Sequence, residues 1–177
     1  EQYLAKRALY NIQAGYAEEA MAESFEAAVP APEAAATGEL ETLYIFELDG
    51  RKDLEKDLER YLGSAHAVGV ASGTDAILLS LMACGVGPGD EVVTVPFTFF
   101  ATAGSISRLG AKPVFVDIRP DTYNMDPESL RANITSLSRA VIVTHHWGYP
   151  ARIDEIRQIC DEHGLFLIED CAHAVGC

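Results

Sequence analysis

From Ala67 to Asp170 the chain alternates short apolar runs with stretches of helical periodicity, and this alternation restricts the fold more than any other feature. Ala67–Ala71, Glu91–Val95, Lys112–Ile118, Ser138–His145 and Leu165–Glu169 have the length and composition of strands. Between them, Asp75–Ala83, Phe97–Leu109, Asp126–Ile134 and Ile153–His163 read as helices. Gly85, Gly110 and Gly164 stand just past three of these helices, and Pro127 stands in the first turn of the fourth. Strands alternating with helices at this spacing predict βαβ units, right-handed crossovers and one parallel sheet in an α/β fold. Such a sheet gathers ligands at the carboxyl ends of its strands.

The residues before the alternation are less regular. Residues 1 to about 28 have helical spacing at Leu4, Ala8, Ile12 and Gly15, and 29–38, with two prolines and small residues, reads as a linker. Together 1–42 form a helical leader and linker with no assigned chemistry. Leu43–Leu48 is strand-like or extended, and Lys52–Leu62 is an amphipathic helix with Leu54, Leu58, Tyr61 and Leu62 along its apolar stripe.

A chain of 177 residues with 49% hydrophobic content can bury one ordinary core. Its formal charge of −14 argues against nucleic acid or an anionic membrane as partner. No apolar run approaches the ~18 residues of a membrane span. The start, Glu1-Gln2-Tyr3, lacks the basic-then-apolar pattern of a secretory signal. Cys84, Cys160, Cys171 and Cys177 have no Cys-x-x-Cys spacing and read as free thiols of a reducing cytosol. A first residue other than Met, and a last one just after a strand, suggest a fragment.

Four clusters fall at predicted strand ends: Ser72–Asp75, Pro96–Thr98, His145–Tyr149 and Asp170–His173. In the first, Ser72 and Asp75 have the spacing of a helix capping box, while Gly73 and Thr74 suit a phosphate; from these residues alone the two readings are equally good. Asp170 closes a buried strand, so its carboxylate wants a cation or several donors, unless it only caps the next helix. The functional alternative is that it holds a cationic ring nitrogen. Glu169, one residue earlier, faces the other side of the strand, so the two are no carboxylate pair.

His145 and His146 likewise point to opposite faces. A metal held by His145, Asp170 and His173 is conceivable but has no support from spacing, and no metal is expected. His173 alone is as consistent with a satisfied, partly buried histidine as with a ligand. Trp147 and Tyr149 either line a pocket or simply pack. Phe97, Phe99 and Phe100 form an aromatic cluster where core packing is the ordinary role, although one ring is placed to stack on a planar cofactor. A dinucleotide-binding module is disfavoured, because Ala71-Ser-Gly-Thr-Asp75 lacks the Gly-x-Gly-x-x-Gly fingerprint.

Five segments together resemble one family: Val68–Ala76, Gly85–Val92, Pro96–Thr102, Gly110–Asp117 and Ile168–Ala174. They look like the DegT/StrS family of pyridoxal-phosphate-dependent sugar aminotransferases, and the resemblance runs unbroken from about Gly50 to Cys177. It implies the aspartate aminotransferase fold: three layers with a mostly parallel sheet, of which 43–177 would be the cofactor-binding part of the large domain. It further implies that Gly73 and Thr74 hold the cofactor phosphate, Phe99 stacks on the pyridine ring, and Asp170 pairs with the ring nitrogen. His173 would lie near the ring's 3-hydroxyl. His145 and Gly148 match a His-x-aromatic-Gly segment, with His145 and Trp147 as possible pocket residues. Trp147, Tyr149 and Cys171 depart from the family's commoner residues without touching the cofactor chemistry.

The same resemblance implies a cytoplasmic homodimer that moves an amino group from a donor such as glutamate to a keto-sugar nucleotide. The lysine that links the cofactor is expected in a Ser-x-x-x-Ser-Lys-like segment beyond Cys177, since Lys6, Lys52, Lys56 and Lys112 do not occupy that position. Taken alone, these 177 residues are therefore expected to be inactive, to bind cofactor weakly at best, and to associate through exposed apolar edges. A dehydratase of the same family, or a non-catalytic regulator, is the alternative.

Overall fold

The computed structural model describes residues 43–47, 54–64 and 66–174, with side chains from Glu55 onward. The leader, the linker and Cys177 lie outside the described residues. In chain order the elements are β1 (Leu43–Glu47), α1 (Leu54–Leu62), β2 (His66–Val70), α2 (Gly73–Ala83), β3 (Glu91–Thr94) and α3 (Phe100–Arg108). These are followed by β4 (Lys112–Phe115), α4 (Pro127–Asn133), β5 (Ser138–Thr144), a 3-10 turn (His146–Gly148), α5 (Ile153–His163) and β6 (Phe166–Asp170).

Every strand pairing is parallel, as the alternation predicts, but the strands divide into two sheets, β1-β2 and β4-β3-β5-β6. Among the described residues β2 and β6 therefore do not share a sheet, where the expectation placed both in one. One edge of β2 is taken by β1, residue for residue from Leu43–His66 to Glu47–Val70. On β2 the amides of Ala67 and Gly69 donate instead to the carboxylates of Glu59 (3.2 Å) and Glu55 (2.8 Å) on α1. Side chains of a helix thus satisfy ladder groups that another strand would otherwise pair. Apolar pattern encodes burial, and nothing in it specifies this choice of partner.

Two clusters cover the faces of the four-stranded sheet and give the three layers. Val93, Val141, Val143 and Leu167 pack beneath α4 and α5 against Leu130, Ile156 and Ile159. The alternate residues Val92, Ala140, Ile142 and Ile168 pack beneath α2 and α3 against Ile77, Leu81 and Ile106. Leu130 and Ile156 are wholly removed from solvent, each contributing about 1.5–3 kcal/mol relative to exposure. The period of two assigns each later residue of β5 and β6 to a face. Odd-numbered positions look toward α4 and α5, even-numbered ones toward α2 and α3.

Two boundaries differ from the sequence reading. Helix α3 starts at Phe100 rather than Phe97, with Phe99 as its N-cap. Thr98 Oγ1 is held by the hydroxyls of Thr144 (3.0 Å) and Thr102 (3.1 Å), and the Phe97 carbonyl accepts from His146 Nε2 (2.5 Å). These bonds hold the bend at 96–98 against the end of β5 and leave Phe99 in extended geometry before the helix. Strand β4 stops at Phe115, and Ile118 turns to pair antiparallel with Met125.

Candidate functional site

Helix α2 begins with the N-cap half of the capping box, and Asp75 closes back on the Ser72 hydroxyl rather than on its backbone N–H. The Asp75 amide donates to Ser72 Oγ (3.1 Å), and Ser72 Oγ donates to Asp75 Oδ2 (2.7 Å). The Ala76 amide donates to the Ser72 carbonyl (3.0 Å). The first two amides, of Gly73 and Thr74, have no partner among the described residues, so the cap forms and still leaves two N–H groups at the positive end of an 11-residue helix. The two readings left open by the sequence coexist. Ser105 of α3 braces this turn by donating to the Thr74 carbonyl (3.4 Å).

A cavity of about 190 Å³ opens beside this helix, lined by Ile77, Thr98, Phe99, Thr144, His146, Asp170, Ala172 and His173. Thr144 and Asp170 are the even-numbered last residues of β5 and β6, on the face that α2 and α3 cover, and His146 opens the 3-10 turn just beyond. The strand-end rule and the period of two therefore locate the site jointly.

Asp170 is 5% exposed. One carboxylate oxygen, Oδ1, accepts from the Ala172 amide (3.1 Å); Oδ2 has no partner among the described residues. Burial pushes its pKa above the ordinary carboxylate value, opposed by the Ala172 N–H and more weakly by His145, His173 and His146. Asp170 does cap the Cys171–Ala174 turn, but that single bond leaves a desolvated acid without a cation.

Phe99 is 75% exposed at the cavity rim, which sets it apart from a core aromatic. His173 is exposed and also lines the cavity. Gly73 and Thr74 are not among its lining residues; they sit one turn before Ile77 on the helix that forms its wall. His145 lies elsewhere, buried on the α4/α5 side, with Nε2 2.9 Å from Glu169 Oε2 and Nδ1 accepting from the Ala151 amide (3.0 Å). Trp147 also lies outside the cavity. It is 64% exposed, adopts φ 53° and ψ 33°, and packs by its edge on Phe97 (5.8 Å) and Tyr123 (5.9 Å).

Sequence reasoning placed Thr98 and His146 in strand-end clusters without giving them a role, and did not single out Thr144. Once Asp170 is chosen, the parallel register Thr144–Asp170 and the period of two select Thr144 and His146, but that register is fixed by pairing alone. The His146 ring is held by Phe97, and its amide donates to Asn124 Oδ1 (3.1 Å); Asn124, 1% exposed, also donates to the Tyr149 carbonyl (2.9 Å). Asn124 thus staples both ends of the 3-10 turn. The histidine–acid–thiol group with metal-ligand spacing is not the set weighed from sequence. Among the described residues it is His145, Glu169 and Cys171, whose ligand atoms lie within 4.8 Å of one another.

Residues 40–177 match the model of the DegT/DnrJ/EryC1/StrS aminotransferase family. The chain is 52% identical over 125 residues to a pleiotropic regulatory protein of Geobacillus stearothermophilus, covering 71% of this chain and 34% of that protein. It is 46% identical over 124 residues to UDP-2-acetamido-2-deoxy-3-oxo-D-glucuronate aminotransferase of Pseudomonas aeruginosa, covering 70% of this chain and 34% of that enzyme. Among solved structures it resembles NtdA of Bacillus subtilis with bound cofactor PMP, at a TM-score of 0.69 and 31% identity over 87% of this chain and 34% of that one. The chain thus spans about a third of the length of the relatives it matches.

Proposed function

Because the chain belongs to the DegT/DnrJ/EryC1/StrS aminotransferase family, we propose that residues 43–177 form the cofactor-binding part of a pyridoxal 5'-phosphate-dependent aminotransferase. The whole protein transfers an amino group from a donor such as glutamate to a keto-sugar nucleotide. The observation that carries the reading is Asp170: a buried carboxylate facing a cavity, on the same side of the sheet as the helix N-terminus at Gly73 and Thr74, with neither a cation at the carboxylate nor a partner for those two amides among the described residues. A cofactor with a protonatable ring nitrogen at one end and a phosphate at the other supplies what both lack.

The residues divide the work by their chemistry. The Gly73 and Thr74 amides and the Thr74 hydroxyl bind the phosphate, where the helix dipole favours an anion. Phe99 stacks on the ring face. Asp170 accepts a hydrogen bond from the ring nitrogen and keeps the proton there, because a carboxylate in a desolvated site gains most from a cation beside it. His173, which lines the same cavity, would stand near the 3-hydroxyl of the bound cofactor. When bound, pyridoxal phosphate supplies an electron sink for the substrate carbon being deprotonated.

Two described lysines stand away from this site. Lys112 pairs with Glu91 (2.8 Å) at the amino end of β4, and Lys56 is exposed on α1. The lysine that links the cofactor and moves protons is therefore sought in the part of the relatives' length that this chain does not span. We extend the reading to a homodimer in the cytoplasm without nucleic-acid or membrane partners; no helix among the described residues is long and apolar enough to cross a membrane.

Titration of the chain with pyridoxamine 5'-phosphate tests the cofactor site, since this form needs no lysine. Saturable, weak binding that inorganic phosphate competes away is expected. Tight binding of a nicotinamide dinucleotide with no response to pyridoxamine phosphate would overturn the proposal. Transamination assays on the whole protein with glutamate and keto-sugar nucleotides test the activity.

A further inference from the structure

Beneath the sheet, on the side away from the cavity, lies a buried polar group that the cofactor site does not use. His145 and Glu169 are each 3% exposed. Arg157 of α5 brings its guanidinium to 3.6 Å from Glu169 Oε1. The Ala151 amide can only donate, so His145 Nδ1, which it contacts, is an acceptor and the neutral ring carries its proton on Nε2. That proton points at Glu169 Oε2, 2.9 Å away.

The tautomer bears on the metal alternative. An ion ligated by Nε2 together with Glu169 and Cys171 would move the ring proton to Nδ1, against the Ala151 N–H. The cluster is built for hydrogen bonding. Its position then becomes informative, because His145 is one residue from His146 and Glu169 is one residue from Asp170. A single imidazole thus joins the end of β6 to Ala151, past the 3-10 turn, and the residues next to His145 and Glu169, His146 and Asp170, both line the cavity. The last ladder bond, His145 N–H to the Asp170 carbonyl (3.0 Å), runs between the same two segments.

We propose that His145 and Glu169 are positioning residues for the cofactor site: their buried hydrogen bond fixes the relation of Asp170 to His146 across the sheet. The assignment rests on the cofactor reading above for its functional consequence, but its structural half stands alone. Neither residue touches the cavity. They act through the backbone they hold, as outer partners of metal ligands do, where loss of one such partner weakens binding roughly 10- to 100-fold.

The test compares His145→Phe, which keeps a ring but loses both bonds, with Ile156→Val, which loosens the same layer and leaves both bonds intact. In the unaltered chain, nitrogen-15 NMR of the side chain should show His145 protonated on Nε2 alone. In His145→Phe, the Ala172 amide, which reports the Asp170 carboxylate directly, should lose protection from hydrogen exchange and shift, together with the His146 amide. Pyridoxamine phosphate should bind at least ~10-fold more weakly. Ile156→Val, compared at matched stability in urea, should change neither reporter.

Unmoved Ala172 and His146 signals in His145→Phe, equal changes in both variants, or an Nδ1-protonated His145 would overturn the assignment. If the whole protein, of which this chain is part, fails to bind pyridoxamine phosphate while the amide reporters respond as stated, the cofactor reading falls and the positioning role holds.

Discussion

Replacing Asp170 with Asn should stabilise the cofactor-free chain while weakening its hold on the cofactor. Asn keeps an oxygen where Oδ1 accepts the Ala172 N–H at 3.1 Å, and keeps the shape of the side chain, so the charge is the main thing removed. That charge is 5% exposed and has no cation beside it among the described residues. Burial raises the folded-state pKa of Asp170 above its unfolded value. A raised carboxylate gives its full stability below the unfolded pKa, and that stability is lost as pH rises through the folded pKa.

The advantage of Asp170→Asn over the unaltered chain should therefore be absent in acid, grow as pH rises from the unfolded pKa to the raised folded pKa, and stay constant above the latter. An under-satisfied buried polar group costs about 1–3 kcal/mol, and the weaker neutral bond to Ala172 offsets part of the gain, leaving about 1 kcal/mol near neutrality. For a chain of this size that is a rise in Tm of about 2–4 °C. Thermal unfolding followed by circular dichroism across pH reads it. Pyridoxamine phosphate affinity should fall in the same variant, because an amide cannot hold the ring proton as a carboxylate does. A variant less stable at neutral pH, or a difference independent of pH, would refute the view of Asp170 as a desolvated acid kept for a cation.

Phe99→Ala should leave stability within about 0.5 kcal/mol, since the ring is 75% exposed, and yet lower pyridoxamine phosphate affinity; a marked drop in the urea midpoint would mean the ring is structural. Ser72→Ala removes an N-cap with two bonds to Asp75 and should destabilise by about 1 kcal/mol in urea titration. The Cys160 thiol, 1% exposed and pushed up to about 12 chiefly by burial, should resist alkylation by iodoacetamide at about pH 8 until the chain is unfolded. Leu130→Ala opens a cavity under the α4/α5 face and should cost about 2–5 kcal/mol by the same urea assay.

How much of this was legible in advance follows from which interactions are local. The β2–α2 turn could be read because Ser72, Gly73, Thr74 and Asp75 act on neighbours one to three residues away. Asp170 could be read because a carboxylate ending an apolar run is costly wherever the strand lies. The partners of β2 could not, since its Ala67 and Gly69 amides meet Glu59 and Glu55 of a preceding helix whose acidic face looks like any solvated one. His145 and His146 illustrate the same limit inside the site. Sequence establishes that they face opposite ways, but only the register of β5 with β6 decides that His146 shares the cavity with Asp170, while His145 turns to Glu169. The start of α3 at Phe100 likewise depends on hydroxyl contacts 46 residues apart in the chain.

The central claim is that Asp170 and the α2 N-terminus hold the two ends of one cofactor. Nitrogen-15 and phosphorus-31 NMR of ring-labelled pyridoxamine 5'-phosphate, bound to the chain at mildly alkaline pH, tests it most directly. The account predicts a ring nitrogen that stays protonated when bound and loses its proton in Asp170→Asn, with a phosphorus signal that responds to substitution at Thr74. A bound ring nitrogen that is unprotonated, or that ignores the loss of the Asp170 charge, would contradict it.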